Sequence, residues 1–421
     1  MLTQSDIEFI IANEKADTNR LLLNASKGEL NTAKDGSKFG INVLLCVKCI
    51  EARHKIEYKI PLWYANATLV YPLSISVEQC SSEATALYKQ QLVADILCDN
   101  CINIADITGG MGIDSYFLSL IAKSHYYIER NIELCNATKY NFKQLNANNI
   151  TVINDEYVLG NKKLFNFLAD KNLSLIYIDP ARRSKTNTKV ISLQDYEPNV
   201  LELKEDFFRL APYLLIKVSP MADIKLNLKL LPNTVQIHII AVDNECKELL
   251  FLMSNNNAVN NNIDTTEDPQ IIAVNITANE ELHFAFTLQE EESAKAIFTS
   301  TVGEYLFEPY KSVLKSGAYK LVSQRFGLKK LAPSTHLYTS DTPYANFPGK
   351  TFKVCDVRNF NKKELKKTAK DYPQASICAR NFPLDTNSLK KISGIKDGGT
   401  HHIFAVTLTN GERKIICLLR K

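Results

Sequence analysis

Glycines and an acid follow two apolar runs of the sequence in the order expected of a nucleotide-binding turn. The run at 103–108 leads directly into Gly109, Gly110 and Gly112. Glycines at a turn let the backbone approach a ligand, because no Cβ stands in the way. The next apolar run ends in Glu129, roughly 20 residues further on, where a parallel βαβ unit places a carboxylate beside ribose hydroxyls. This spacing predicts a site for a nucleotide-like cofactor.

Two further apolar runs also end in acidic residues. Asp155 follows the third run, and Asp179 with Pro180 ends the fourth. A tight strand-to-helix turn favours glycine even without a ligand, so the glycines alone are weak evidence. Open parallel sheets bind ligands at the edge where their strands end. The agreement of four such endings therefore predicts a functional site at that edge.

Alternating strands and helices are predicted across the middle of the chain, which indicates an α/β fold with a parallel sheet covered on both faces. The five predicted parallel strands lie near 103–108, 125–130, 150–154, 173–179 and 213–218. Two more strands are predicted at 235–242 and 248–253, and the link between them is too short for a parallel crossover. We expect these two strands to form a terminal antiparallel hairpin.

The composition is that of an ordinary soluble globular protein of two to four domains, with 421 residues, 45% hydrophobic and 23% charged. No stretch reaches the ~18 uncharged apolar residues that a membrane helix needs, and no signal-like segment is recognised at the start. Ten cysteines without a secretory signal indicate reduced thiols. We expect a cytoplasmic protein with no membrane association.

Two Cys-x-x-Cys pairs leave zinc as an alternative for the cysteines. They are Cys46 with Cys49 and Cys98 with Cys101. The pairs lie about 50 residues apart, far beyond the usual spacing of a zinc ribbon. We therefore expect core or surface cysteines and no metal.

Positive charge is concentrated at the end of the chain. Residues 350–421 contain sixteen Lys and Arg and six Asp and Glu, a net charge of +10, whereas the rest of the chain carries −6. A basic module on an acidic body is expected of a nucleic-acid anchor. The alternative is a solvated lysine-rich helix, because the segment 361–370 is amphipathic. We favour nucleic acid.

Four domains are predicted along the chain. The first, at 1–75, is mainly helical and begins with a capped amphipathic helix. The second, at 76–255, holds the parallel sheet, and an Asn-rich loop near its end marks a boundary. The third, at 256–345, contains a second hairpin, and the fourth, at 346–421, reads as strand, helix, strand, helix, strand, strand.

Several dispersed stretches resemble one family, the bacterial class I S-adenosylmethionine-dependent methyltransferases with a THUMP-like C-terminal domain. The stretches that carry the resemblance are Glu78–Glu83, Asp106–Asp114, Asp179–Arg183, Lys217–Met221, Asn244–Glu248, Glu308–Pro309 and Lys396–Gly399. The resemblance implies a Rossmann-like sheet of five parallel strands and a terminal antiparallel hairpin. It also implies an N-terminal helical domain, a ferredoxin-like domain and a small α+β THUMP-like domain.

Cofactor and partner follow from the same resemblance. The glycine turn is similar to that of ribosomal RNA guanine-N2 methyltransferases, whose Asp-x-Thr-x-Gly-x-Gly-x-Asp pattern matches Asp106, Thr108, Gly110, Gly112 and Asp114. The cofactor residues implied at this turn are Asp106, Thr108, Gly109, Gly110 and Gly112. The implied cofactor is S-adenosylmethionine, with Asp106 near the methionine ammonium, Glu129 on the ribose diol and Asp155 on the adenine amino group. Arg130, which follows Glu129, is also expected to bind the cofactor. THUMP domains of related enzymes bind the acceptor end of tRNA, so tRNA or rRNA is the expected partner.

The implied catalytic residues are Asp179, Pro180 and Arg182, in a stretch that is similar to the Asp-Pro-Pro-aromatic motif of amino-group methyltransferases. This chain departs from that motif, because alanine and Arg182 replace the second proline and the aromatic residue. Arg182 is expected to stack on the target base or to bind a phosphate. Further substrate contacts are expected from Arg183, Lys217 and Ser219.

Other functions remain open at this point. Asp-Pro-Pro-Arg also occurs in uracil C5 methyltransferases, in which a cysteine attacks the ring, and Cys246 is the candidate for that role. A small-molecule or protein methyltransferase, or a noncatalytic protein that binds the cofactor and RNA, is also compatible with the sequence. The expected activity is methylation of a base, at guanine or another exocyclic amine.

Overall fold

The computed structural model describes residues 2–26, 37–38, 41–97, 102–182, 193–255 and 268–420. The chain divides into two compact units. The first unit comprises Met1–Val235 and Glu248–Thr266, and the second comprises Gln236–Lys247 and Glu267–Lys421. The candidate active site belongs to the first unit.

Helices dominate the N-terminal part of the first unit, as the sequence predicts. Thr3 and Asp6 form a capping box at the start of the first helix. The elements are α1 (Gln4–Ala12), α2 (Thr18–Ser26), β1 (Ser37–Lys38), β2 (Ile41–Asn42), α3 (Val43–Ile56), α4 (Pro61–Tyr64), α5 (Ser74–Gln79) and α6 (Glu83–Leu97).

Two cysteines of the N-terminal part belong to its core. Cys46 and Cys49 are buried in α3, and burial raises the pKa of the Cys49 thiol to about 11. Both are therefore core thiols in this structure. Cys98 and Cys101 lie outside the described residues.

The central sheet follows along the chain. Its elements are β3 (Asn103–Asp106), α7 (Ile113–Ser119), β4 (Ser124–Glu129), α8 (Ile132–Gln144), β5 (Ile150–Asn154), α9 (Lys162–Ala169), β6 (Leu175–Ile178), β7 (Ala181–Arg182), a short 3₁₀ turn (Leu193–Asp195), β8 (Tyr196–Glu197), α10 (Val200–Leu210), β9 (Tyr213–Val218), α11 (Ile224–Leu230), β10 (Thr234–Val242) and β11 (Glu245–Ser254).

Five strands of this sheet are parallel, as predicted. The order is β5-β4-β3-β6-β9, and β11 adds to β9 in the antiparallel sense. All four residues of β6 and five of the six of β9 are buried, because helices cover both faces of a parallel sheet. The strand order reverses at β3, so β3 is flanked by β4 and β6. Ligands of such sheets bind at this switch point.

The predicted terminal hairpin consists of β10 followed by β11. Asp243 and Asn244 form the turn between them, with φ of +49° and +61°. Two successive residues with positive φ are typical of a type I′ hairpin turn, and Asp and Asn tolerate this conformation better than most residues. The stretch 256–267, which includes most of the Asn-rich loop, lies outside the described residues.

The second unit contains an eight-stranded sheet, most of β10, and the strands β12 (Gln270–Ile276) and β13 (Glu281–Thr287). β12 pairs in parallel with β10 and antiparallel with β13, which confirms the predicted second hairpin. The remaining elements are α12 (Leu288–Ser293), β14 (Ile297–Phe298), β15 (Tyr305–Pro309), α13 (Lys311–Ser316), α14 (Tyr319–Arg325), β16 (Lys329–Ala332), β17 (Thr335–Ser340), β18 (Gly349–Asn359), α15 (Lys362–Asp371), β19 (Ser376–Arg380), α16 (Thr386–Ser393), β20 (His401–Thr407) and β21 (Arg413–Arg420). The eight-stranded sheet has the order β14-β16-β17-β15-β18-β21-β20-β19.

The last module has the strand and helix order that the sequence predicts. Residues of α15 and α16 pack into one core with buried residues of β19, β20 and β21. Gly411, with φ of +82°, lies in the turn between β20 and β21. The outer side of α15 carries five exposed lysines, called the lysine face below: Lys362, Lys363, Lys366, Lys367 and Lys370.

Candidate active site

The glycine loop between β3 and α7 is fixed against β4 by its own backbone. The Gly109 N–H donates to the Ile128 carbonyl at 2.9 Å, and the Tyr127 hydroxyl donates to the Gly110 carbonyl at 2.6 Å. A Cβ at Gly109 would lie 2.2 Å from the Tyr127 ring. At Gly110, with φ of +53°, a Cβ would meet only the Thr108 carbonyl oxygen, at 3.7 Å. Gly109 is thus required for packing, whereas the space beside Gly110 can admit a ligand.

Asp106 ends β3 and lies buried beneath this loop, with 1% of its surface exposed. Its Oδ1 accepts the Thr108 N–H at 3.0 Å, and its Oδ2 accepts the Ser115 hydroxyl at 2.6 Å. Burial raises the pKa of the Asp106 carboxyl to about 7. Asp106 therefore ties the start of the loop to α7 and changes its ionisation near neutral pH.

Glu129 lies at the carboxyl end of β4, where the sequence predicts it. One carboxylate oxygen accepts the Gly110 N–H at 2.9 Å, and the other accepts the Asn131 N–H at 2.7 Å. The side chain is partly exposed. Glu129 thus positions the glycine loop, and each of its oxygens can accept a further hydrogen bond.

Arg130 directly follows β4, and Asp155 directly follows the neighbouring strand β5. Arg130 is exposed and forms ion pairs with Glu156 at 3.0 Å and Glu197 at 3.6 Å. Oδ1 of Asp155 accepts the Glu156 N–H at 2.8 Å and an amide hydrogen of Asn161 at 3.2 Å. Both residues therefore help to order the loop that follows β5.

Asp179 lies directly after β6 and is joined to the glycine loop. Its backbone N–H donates to the Thr108 hydroxyl at 2.7 Å. Its Oδ2 lies 2.5 Å from Nζ of Lys217, which belongs to β9. The Asp179 side chain is 36% exposed, whereas that of Lys217 is 12% exposed. Pro180 is buried.

The remaining predicted site residues are Arg182, Arg183 and Ser219. The backbone of Arg182 pairs with Tyr196 in β7 and β8, and Arg183 lies outside the described residues. The Ser219 hydroxyl, in the loop after β9, accepts the Met221 N–H at 3.3 Å.

A buried network of charged and hydroxyl groups lies behind the Asp179 ion pair. The hydroxyls of Ser81 and Tyr177 donate to Oδ2 of Asp114 at 2.7 Å and 2.8 Å. Nζ of Lys89 lies 3.1 Å from Oδ1 of Asp114 and 2.5 Å from Oε1 of Glu248. The Lys89 side chain is fully buried, so both carboxylates are paired inside the protein.

Ser81 connects this network to the ion pair, because its oxygen accepts from Lys89 at 3.2 Å and from Lys217 at 3.3 Å. Burial alone would raise the pKa of the Asp114 carboxyl, but Lys89 and Lys217 outweigh burial and hold it below its usual range. Burial dominates at Glu248 and raises its pKa. Burial would lower the pKa of Lys217, but Asp179 and Asp114 raise it instead. Lys217 is therefore a cation throughout the neutral range.

Sequence reasoning did not identify Lys89 or the network. Ser81, Asp114 and Glu248 lie in three of the stretches that carry the family resemblance, and the fold brings these stretches together. Lys89 lies among the buried residues of α6. Its position relative to other polar residues in the sequence did not indicate a functional role.

The fold and the site define the class of protein. Five parallel strands with an antiparallel sixth, a glycine turn after the first strand and acids at three strand ends are the features of a class I methyltransferase. The residues fit S-adenosylmethionine, because the space beside Gly110 is open and Glu129 and Asp155 can accept hydrogen bonds from hydroxyl and amino groups.

Comparison with known proteins agrees with this class. Residues 305–348 match the family model of a ferredoxin-like domain, and residues 349–421 match that of a THUMP domain-like family. No curated protein matches the chain. The crystal structure of a "putative methyltransferase" from Porphyromonas gingivalis W83 is 30% identical, with a TM-score of 0.84. The comparison covers 100% of this chain and 99% of that one.

Two other solved structures are less similar. An rRNA methylase from Streptococcus thermophilus is 14% identical with a TM-score of 0.30, over 40% of this chain and 96% of that one. A SAM-dependent methyltransferase from Agrobacterium tumefaciens is 13% identical with a TM-score of 0.32, over 41% of this chain and 61% of that one.

The match to the Porphyromonas gingivalis protein along the whole chain shows the family. This chain belongs to the bacterial class I S-adenosylmethionine-dependent methyltransferases that carry a ferredoxin-like domain and a THUMP-like C-terminal domain.

The described residues contain neither a metal-binding cluster of acidic, His or Cys side chains nor a membrane-spanning helix. Within 2–26, 37–38, 41–97, 102–182, 193–255 and 268–420, no cluster of three or more His, Cys, Asp or Glu side chains could hold a metal ion. Over the same part of the chain, no helix is long and apolar enough to cross a bilayer.

Proposed function

We propose that this protein transfers a methyl group from S-adenosylmethionine to a base of tRNA or rRNA, at guanine or another exocyclic amine. The hydrogen bond from the Asp179 N–H to the Thr108 hydroxyl carries the proposal. It joins the candidate catalytic carboxylate to the loop that would bind the cofactor. Methyl transfer is an in-line displacement, and alignment of its two reactants is the main contribution of the protein.

The cofactor would supply an electrophilic methyl group on its sulfonium. Glu129 would accept hydrogen bonds from the ribose diol, and Asp155 would accept one from the adenine amino group. Asp106 would place negative charge near the methionine ammonium, directly or through water. Thr108 and the three glycines would shape the backbone around these groups, and Arg130 would order the adjoining loop.

Asp179 would act on the methyl acceptor. Its carboxylate and the following backbone carbonyl would accept both hydrogens of an exocyclic amine, which localises the nitrogen lone pair that attacks the methyl group. The buried Pro180 keeps this turn rigid, because its φ is fixed. Arg182 and Arg183 would contact the target base or a phosphate, and Ser219 would contact the substrate.

The lysine face supports RNA as the substrate. Its five lysines are exposed and spaced so that they share one side of α15. No ion pair involves them within the part of the chain that the structure describes. Arg358 and Arg380 of the same module instead pair with Asp356, Asp371 and Glu308. Five cations that could meet phosphates thus lie together on one helix, and we propose a cytoplasmic RNA.

Addition of a cysteine to a pyrimidine ring is the weaker candidate chemistry. Burial raises the pKa of the Cys246 thiol. A nucleophilic cysteine requires the opposite shift, because the thiolate is the attacking species. We therefore assign no catalytic role to Cys246.

The test is transfer of labelled methyl groups from S-adenosylmethionine to RNA, DNA and protein of a strain that lacks this protein. We expect label in one RNA fraction with the wild type and none with Asp179→Ala. The matched control is Asp170→Ala, which removes an exposed acid after α9 and should leave transfer unchanged. Label in protein alone, or in no polymer, would refute an RNA substrate and favour a protein, small-molecule or noncatalytic role.

A further inference from the structure

The network around Ser81 forms a continuous path from the open site into the core of the first unit. At its outer end, Lys217 Nζ lies between Asp179 Oδ2 at 2.5 Å and the Ser81 oxygen at 3.3 Å. Exposure falls along this path, from 36% for the Asp179 side chain to 12% for Lys217 and 0% for Lys89. The outermost carboxylate is therefore the member that a substrate can reach.

Charge in this network is nearly balanced. The carboxylates of Asp179, Asp114 and Glu248 face the ammonium groups of Lys217 and Lys89. Each buried ion costs several kcal/mol to desolvate, and removal of one partner leaves the others uncompensated. Without Lys217, three carboxylates would share a single cation. Lys217 is therefore the cation that compensates the outermost carboxylate, Asp179.

The network also reaches the cofactor loop. Asp114 lies in the first turn of α7, which begins directly after Gly112. It accepts the Ser81 hydroxyl at 2.7 Å, and Ser81 in turn accepts from Lys217. Helix α7, Ser81, Lys217 and Asp179 are thus linked by consecutive polar contacts.

We infer that Lys217 is a positioning residue: it holds the Asp179 carboxylate in place, with Ser81 and Asp114 as its support. This inference rests on the proposed function, and it replaces the substrate contact that the sequence suggested for Lys217. Two of the three N–H groups of its ammonium are directed to Asp179 and Ser81. Lys217 therefore acts on the methyl acceptor through Asp179.

The first test measures stability and needs no activity. Urea unfolding is compared between pH 5 and pH 8 for the wild type, Lys217→Met, Asp179→Asn and the double variant. Loss of the cation raises the folded-state pKa of the remaining carboxyls, so the deficit of Lys217→Met should grow as the pH rises. The double variant should recover part of that deficit, because the unpaired carboxylate is also gone. A deficit that is independent of pH and additive with Asp179→Asn would overturn the inference.

The second test separates positioning from packing. In Lys217→Met, we expect kcat to fall at least about tenfold, with S-adenosylmethionine affinity within about threefold of the wild type. The acid limb of its pH–rate profile should move to higher pH, and Lys217→Arg should restore part of the rate. Lys163→Met, which changes an exposed lysine of α9, is the matched control and should behave as the wild type.

The outcomes distinguish the inference from the proposed function. If the wild type transfers no methyl group, the proposed function fails, and the stability cycle still decides whether Lys217 holds Asp179. If the wild type is active and Lys217→Met keeps its kcat and pH profile, the positioning role is wrong.

Discussion

Replacement of Asp106 by asparagine should remove a strong pH dependence of stability. The wild-type carboxyl has a pKa of about 7 in the folded protein, against an ordinary value of 3.8, because it is buried. An acid with a raised folded-state pKa contributes stability that is full below pH 3.8 and is lost as the pH rises towards 7. Asparagine carries no proton to lose, and its oxygen can still accept the Thr108 N–H.

The size of the effect follows from the shift. Each pH unit between the two pKa values changes the free energy of unfolding by about 1.4 kcal/mol. Between pH 5 and pH 8, the wild type should therefore lose about 3 kcal/mol relative to Asp106→Asn. The carboxylates of Asp114 and Asp179 add to the shift, and they are present in both proteins.

Urea unfolding at half-unit pH steps measures this difference. We also expect S-adenosylmethionine affinity to rise with pH through 7 in the wild type, as Asp106 ionises, and to stay flat in the variant. Stability curves that run parallel over this range would refute the assignment of Asp106 as a buried carboxyl that titrates near neutral pH.

Three further changes have defined outcomes. Gly109→Ala should lower the free energy of unfolding by about 1–3 kcal/mol and weaken cofactor binding, because its Cβ would overlap Tyr127. An unchanged free energy of unfolding would contradict the packing role. Cys246→Ser should retain methyl transfer within about threefold, and loss of transfer would favour cysteine addition. Glutamine at three positions of the lysine face should weaken RNA binding and reduce its log–log salt slope by about 2–3, whereas an unchanged slope would exclude that face. The three positions are Lys362, Lys366 and Lys370.

Much of the sheet could be predicted from the sequence. The apolar run that leads into Gly109 and the runs that end in Glu129 and Asp179 have the endings of parallel strands, and the short link at 243–247 required a hairpin. These are local signals, in which a few adjacent residues determine the element. The order of elements in the C-terminal module was predictable for the same reason.

The functions of several site residues could not be predicted. Glu129 accepts two backbone N–H groups, and this requires the loop and strand to be in place. The ion pairs of Lys89 with Asp114 and Glu248 join residues that are distant in sequence, so no spacing indicates them. The ion pair of Arg380 with Glu308 could not be predicted either, because a count of charges does not show which charges are paired.

Analysis of modified nucleosides tests the central claim most directly. RNA from a strain without this protein is incubated with S-adenosylmethionine and the purified wild type or Asp179→Asn, then digested and examined by mass spectrometry. We predict one nucleoside that gains a methyl group on an exocyclic nitrogen with the wild type and not with the variant. Methylation at a ring carbon, equal product from both proteins, or no methylated nucleoside would contradict it.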